Sequence, residues 1–199
     1  MLNHPTSHVV AESLDVTVVA LVGPPAAGKS TIRKIFSDYG VAGCDLVEHT
    51  SAGEIVDEKW MDAVDETLEE ANGAIPHVAC IESPIDEYQV DYIRGRSTGT
   101  LVVRVDVQDR GDRLERFVDR ELTKQKKDSD IVASDLLVDL QSTAARREFF
   151  EAPYPAHDVL IYNDDDVMTS ELVDRCANIV TALSDLEHDD LATPTTSYD

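Results

Sequence analysis

The chain has 199 residues, 42% of them hydrophobic, which is enough for the core of one domain and leaves little room for a second. Its 40 acidic residues outnumber its 17 basic ones, and a net charge of −23 repels nucleic acid and anionic lipid except at a local basic site. No run approaches the ~20 apolar residues that cross a membrane, and the start of the chain lacks the basic and apolar stretches of a secretory signal.

Residues 1–15 read as a flexible leader. The valine-rich run 16–22 has the pattern of a strand buried on both faces. A glycine-containing loop follows, then a helix over 29–39 that Gly40 is placed to end. A short second strand is expected at 41–44. Ser51 and Glu54 have capping-box spacing, and beyond them Trp60, Val64, Leu68 and Ala71 recur at helical intervals until Asn72-Gly73. Residues 77–81 read as a third strand. Ser83 and Pro84 open a further helix, with Ile85, Tyr88 and Tyr92 on its buried face and Gly95 at its end.

The fourth strand is expected at 101–107, and Leu114, Phe117 and Val118 mark the helix after it. Residues 124–130 break the pattern, Leu136, Leu137 and Leu140 begin another helix, and 159–162 reads as a fifth strand. Thr169 caps a last helix whose apolar face is Leu172, Val173, Cys176, Ile179, Val180 and Leu183. From 187 to 199 the chain reads as a disordered acidic tail. Alternating strands and helices predict an α/β domain over 16–186, with a parallel sheet covered on both faces.

The acidic residues run through the helices as well as the ends, and only six of the basic residues are lysines. Salt adaptation accounts for both features; acidic tails on an ordinary protein account for the first less well. Cys44, Cys80 and Cys176 stand far apart beside apolar residues, as buried thiols of a reducing, cytoplasmic compartment would. The scattered histidines show no metal-ligand spacing.

The loop itself carries the chemistry. Gly23, Pro24, Pro25, Ala26, Ala27, Gly28, Lys29 and Ser30 fit the P-loop pattern G-x-x-x-x-G-K-S/T between a strand and a helix. Glycine lets successive N–H groups turn into one concavity, and the helix adds its positive end. Lys29 is expected on the β- and γ-phosphates of ATP, and the Ser30 hydroxyl on Mg²⁺. Thr31 either adjoins the α-phosphate or is a plain helix residue. A guanine-reading Asn-Lys-x-Asp sequence is missing, which argues against a GTPase.

Charge is unevenly spread. Twelve of the 17 basic residues fall within 94–147, where the local balance is +2 against −25 elsewhere. Arg113, Arg116 and Arg120 share one helical face, where they clamp a polyphosphate or pair with Asp112, Glu115 and Asp119, with which they alternate. Lys124, Lys126 and Lys127 follow.

With these parts the chain resembles the P-loop nucleoside-monophosphate-kinase-like proteins, and more closely an archaeal dephospho-coenzyme-A-kinase-like branch, over about 16–184. The segment from Arg113 to Arg120 is similar to that branch's arginine-bearing helix leading into the lid. Asp45 resembles its acidic residue after the second strand, Ser83-Pro84 a turn after the third, and the segment from His157 to Asn163-Asp164 its last strand. Arg146 and Arg147 resemble arginines on the lid side. The resemblance implies a five-stranded parallel sheet, a small helical lid at about 120–147, and transfer of the ATP γ-phosphoryl to a small nucleotide-like acceptor. Asp45, Arg113, Arg146 and Arg147 would then serve that acceptor, and Lys29, Glu82, Arg116 and Arg120 the transfer.

One departure stands out. The branch's Asp-Gly-x-Arg sequence is replaced by Ala79, Cys80, Ile81 and Glu82. Glu82 takes the Mg²⁺ or base role itself, or is a carboxylate at a helix start. Two functions therefore stand side by side. One is a Mg²⁺-dependent phosphotransferase. The other is a non-catalytic or slowly hydrolysing ATP-binding module that signals to a protein partner. Neither acts on nucleic acid or a membrane.

Overall fold

The computed structural model describes residues 13–46, 59–83, 87–125, 154–164 and 169–189. Within them the order is β1 (Leu14–Val22), α1 (Lys29–Asp38), β2 (Ala42–Asp45), α2 (Lys59–Asn72), β3 (Val78–Glu82), α3 (Glu87–Arg96), β4 (Ser97–Asp106), α4 (Arg110–Gln125), β5 (Val159–Tyr162) and α5 (Thr169–Asp189). The five strands form one parallel sheet in the order β2-β3-β1-β4-β5.

Helices cover both faces of the sheet. Val19, Leu21, Cys80, Val103 and Val105 pack with Ile32 and Phe36 of α1 and with Leu172, Cys176, Val180 and Leu183 of α5. Val16, Val18, Ala79 and Ile81 pack on the other side against Trp60, Val64 and Leu68 of α2 and Ile93 of α3. This double cover explains why β1 and β3 read as continuous apolar runs rather than alternating ones.

The connection leaving β1 runs toward β2, whereas those leaving its neighbours β3 and β4 run the other way. The carboxyl end of β1 is thus a switch point, where open α/β sheets hold their ligands.

Several boundaries differ from those expected. β1 begins at Leu14, inside the segment read as a leader, and α5 continues through Asp189, into the segment read as a tail. α3 is described from Glu87 and runs through Gly95 to Arg96. Ser83 lies in the left-handed region at φ 66°, whereas a capping residue has extended backbone. The buried face of α3 is Gln89, Val90 and Ile93, while Tyr88 is 64% exposed and Tyr92 is half-buried. The aromatic residues lie instead along the flank facing α2, where Trp60 meets both tyrosine rings edge-on. Ser51, Glu54, Pro84, Ile85, the helix read from Leu136, and most of the lid segment lie outside the described residues.

Candidate functional site

β1 delivers the phosphate-loop segment to the carboxyl edge of the sheet. Gly23 turns the chain at φ 134°, and a Cβ there would run into the Val105 carbonyl of β4. Gly28 precedes α1 at φ 95°, and a Cβ there would collide with the side-chain amide of Asn163. These two glycines are required by conformation and by close approach together. Ala26 adopts φ 61° without glycine's freedom, at a cost of roughly 1 kcal/mol. No side chain caps the start of α1, which leaves its first amides to an incoming anion.

A cavity of about 390 Å³ opens at this edge. Ala26, Gly28, Lys29, Ser30 and Thr31 form one wall, and Glu82, Arg116, Arg120 and Asn163 complete it. Lys29 is 8% exposed and donates to the carbonyls of Gly23 and Pro24 at 3.0 and 3.1 Å. Burial lowers its pKa; Glu82 and Asp45 oppose that shift, and Arg120 adds to it.

Glu82 ends β3 and is 3% exposed. Its Oε1 accepts the Ser30 hydroxyl at 2.6 Å, and its Oε2 accepts Arg33 Nε at 2.8 Å. Both carboxylate oxygens thus engage donors of α1. A hydroxyl and a carboxylate oxygen on neighbouring elements are hard ligands of the sort Mg²⁺ takes, since it binds through one or two protein oxygens and keeps waters or phosphates for the rest. The set therefore fits that ion.

Asp45 ends β2 in register with Glu82, which is in turn in register with Leu21 of β1. The phosphate loop, Glu82 and Asp45 thus succeed one another across three adjacent parallel strands. Asp45 is half-buried and does not line the cavity.

The three arginines of α4 divide. Arg116 and Arg120 reach the cavity, and Arg116 donates to the Asn163 carbonyl at 2.7 Å. Arg113 does not: it is 6% exposed and pairs with Asp106 of β4 at 2.8 Å, on a carboxylate that also accepts Arg104. That pair ties α4 to β4. Residues three apart on a helix point about 60° away from each other, enough to turn one arginine inward and the next to the mouth. Arg146, Arg147, Lys126 and Lys127 lie outside the described residues.

The replaced motif also looks different in place. Ala79 is a fully buried residue inside β3, packed on the α2 side, and does not stand beyond the strand's end. A larger polar group there would enter the core and not the cavity.

Two residues of the site escaped the sequence reading. Arg33 follows Ser30 by one helical turn, a spacing that puts both on one face of α1. Asn163 follows the last strand, and its Nδ2 donates to the Ala27 carbonyl at 3.0 Å while its N–H donates to Asp106. Arg33 carries no local motif, and Asn163 stands in the sequence only as part of the Asn-Asp ending of the last strand.

This architecture is shared with solved kinases. A sugar kinase from Janibacter sp. HTCC2649 superposes with a TM-score of 0.54 at 13% identity, over 86% of this chain and 98% of that one. A gluconokinase from Sinorhizobium meliloti 1021 superposes with a TM-score of 0.51 at 14% identity, over 90% of this chain and 99% of that one. The fold is that of the P-loop kinases. At such identities the likeness is one of fold. No family model matches the sequence, and no curated protein matches it. Among the described residues, no helix is long and apolar enough to cross a membrane.

Proposed function

We propose that this chain is an ATP-dependent phosphotransferase that moves the γ-phosphoryl to a small nucleotide-like acceptor. The observation that carries the reading is the Ser30–Glu82 contact in a cavity also lined by Lys29, Arg116 and Arg120. It brings two oxygen ligands together among three cations, which is what a metal-bound polyphosphate requires.

In this reading the loop amides and Lys29 bind the phosphates of ATP, with Thr31 beside them. Lys29 leaves the Gly23 and Pro24 carbonyls to do so. Ser30 and Glu82 hold Mg²⁺. The ion supplies charge neutralisation along the phosphates when bound. Arg116 and Arg120 stabilise charge on the transferring group and keep water from it. Asp45, on the far side of Glu82 from the loop, orients the acceptor hydroxyl and takes its proton. The acceptor oxygen bonds to the γ-phosphorus as the bond to the β-phosphate oxygen breaks, and ADP leaves.

The resemblance to dephospho-coenzyme-A-kinase-like proteins makes a nucleotide-like acceptor the first class to try, with Arg146 and Arg147 closing over it from the lid. The acidic, lysine-poor composition supports a cytoplasmic, salt-adapted protein of haloarchaeal type.

The test is turnover of Mg²⁺-ATP in concentrated KCl, with and without nucleoside monophosphates and dephospho-coenzyme A. One acceptor should raise turnover and appear phosphorylated. A slow rate that no acceptor changes would favour the ATP-binding module.

A further inference from the structure

Arg33 belongs neither to the phosphate-loop motif nor to the lining of the cavity, yet it shares one carboxylate with Ser30. Glu82 Oε1 accepts the serine hydroxyl at 2.6 Å, and Oε2 accepts Arg33 Nε at 2.8 Å. Both donors come from the same face of α1, one turn apart. The arginine is 30% exposed at its side chain and the glutamate 4%.

The stem of Arg33 is placed as closely as its head. It passes over Gly43 of β2, where an added Cβ would stand 3.5 Å from its Cγ and 2.9 Å from the Cys80 carbonyl. β2 therefore carries no side chain where the arginine crosses it. Asp45, two residues further along β2, shares the Gly43 face and lies in register with Glu82. Two carboxylates thus end adjacent strands on one side of the sheet, with one guanidinium against them. Burial works against the Arg33 charge, but its bond to Glu82 and the charges of Glu82 and Asp45 outweigh that and raise its pKa.

We propose that Arg33 is a positioning residue for the metal-binding carboxylate: it holds Oε2 of Glu82 so that Oε1 is presented beside the Ser30 hydroxyl. The proposal rests on the reading above, in which Ser30 and Glu82 hold the Mg²⁺ of Mg²⁺-ATP. A glutamate fixed at its strand but free at its head has three rotatable bonds, and tethering one oxygen removes most of that freedom before the ion arrives. Arg33 also offsets the repulsion that a second carboxylate at Asp45 would otherwise exert on an ionised Glu82. Loss of such an outer partner typically weakens metal binding 10- to 100-fold.

A plain structural ion pair between α1 and β3 would show the same contact, so the test must separate packing from orientation. Arg33→Met keeps a stem over Gly43 and removes the bond to Oε2. Arg33→Lys keeps the charge and restores one donor. Binding of a fluorescent methylanthraniloyl-ATP is measured across a Mg²⁺ titration, alongside its affinity in EDTA and the melting temperature of each protein. The expected result for Arg33→Met is a Mg²⁺ midpoint raised roughly 10- to 100-fold with the affinity in EDTA unchanged, and for Arg33→Lys a partial return. An unmoved or lowered midpoint in Arg33→Met, or an equal loss of affinity with and without Mg²⁺, overturns the proposal. Wild-type binding that is indifferent to Mg²⁺ would instead remove the metal role of Ser30 and Glu82, and the positioning role with it.

Discussion

Asn163 Nδ2 donates to the Ala27 carbonyl at 3.0 Å, and the same amide stands where a Cβ on Gly28 would have to go. The residue after the last strand therefore holds the phosphate loop from the side opposite Glu82. Its own carbonyl accepts Arg116, so one residue ties the loop to the arginine helix. Asn163→Ala removes the loop bond and leaves the backbone carbonyl, which should weaken ATP about five-fold, the worth of ~1 kcal/mol for one hydrogen bond. Asn163→Asp should weaken it more, because a carboxylate would face both the Ala27 carbonyl and the triphosphate. Calorimetric titration of the two variants with Mg²⁺-ATP checks the order.

Gly28→Ala should abolish nucleotide binding while the sheet still folds. The new methyl meets both a left-handed backbone and the Asn163 amide, and the loop can relieve neither without moving. Circular dichroism and ATP titration of the same sample separate the two effects.

Arg113 and Arg116 should fail in different ways. Arg113→Ala leaves Asp106 with Arg104 and a backbone N–H but without its buried partner, and should cost about 3 kcal/mol of stability. Arg116→Ala should leave the urea midpoint near wild type and slow turnover about 100-fold, as loss of one transition-state donor does elsewhere. Denaturation curves and turnover on both variants decide it. A turnover defect in folded Arg113→Ala equal to that of Arg116→Ala would contradict the division of roles.

The α/β order, the double-covered β1 and the loop with its glycines were legible in the sequence because each rests on a local pattern. β5 and the apolar face of the last helix were legible for the same reason. Ser83 looks like a cap because Pro84 follows it, and only its left-handed backbone shows that it lacks a cap's extended conformation. Helical spacing places Tyr88 in the core because it does not say which flank a neighbouring helix will cover. Arg33 and Asn163 were invisible as site residues. Their partners, Glu82 and Ala27, are 49 and 136 residues away, and no spacing rule spans such distances. Arg113 fits the helical face and still points elsewhere, since the deciding group, Asp106, belongs to another element.

Lys29 gives a pH signature. Burial lowers its pKa in the nucleotide-free protein, so the folded chain binds less proton there than an unfolded one between that lowered value and 10.5. Stability therefore rises with pH through that window as the buried charge is lost. Phosphates bound beside it favour the charged form, so ATP binding at alkaline pH should take up as much as one proton. Titrations in two buffers of different ionisation enthalpy measure the uptake, and Lys29→Met should eliminate it.

The central claim is that Lys29 and its loop bind the phosphates of ATP. Calorimetric titration of Mg²⁺-ATP into wild-type protein and Lys29→Met, in concentrated KCl with the melting temperature of each recorded, tests it most directly. A charge-assisted contact worth about 3 kcal/mol predicts a roughly 100-fold loss of affinity in a variant that remains folded. Equal affinity in the two folded proteins would contradict the claim.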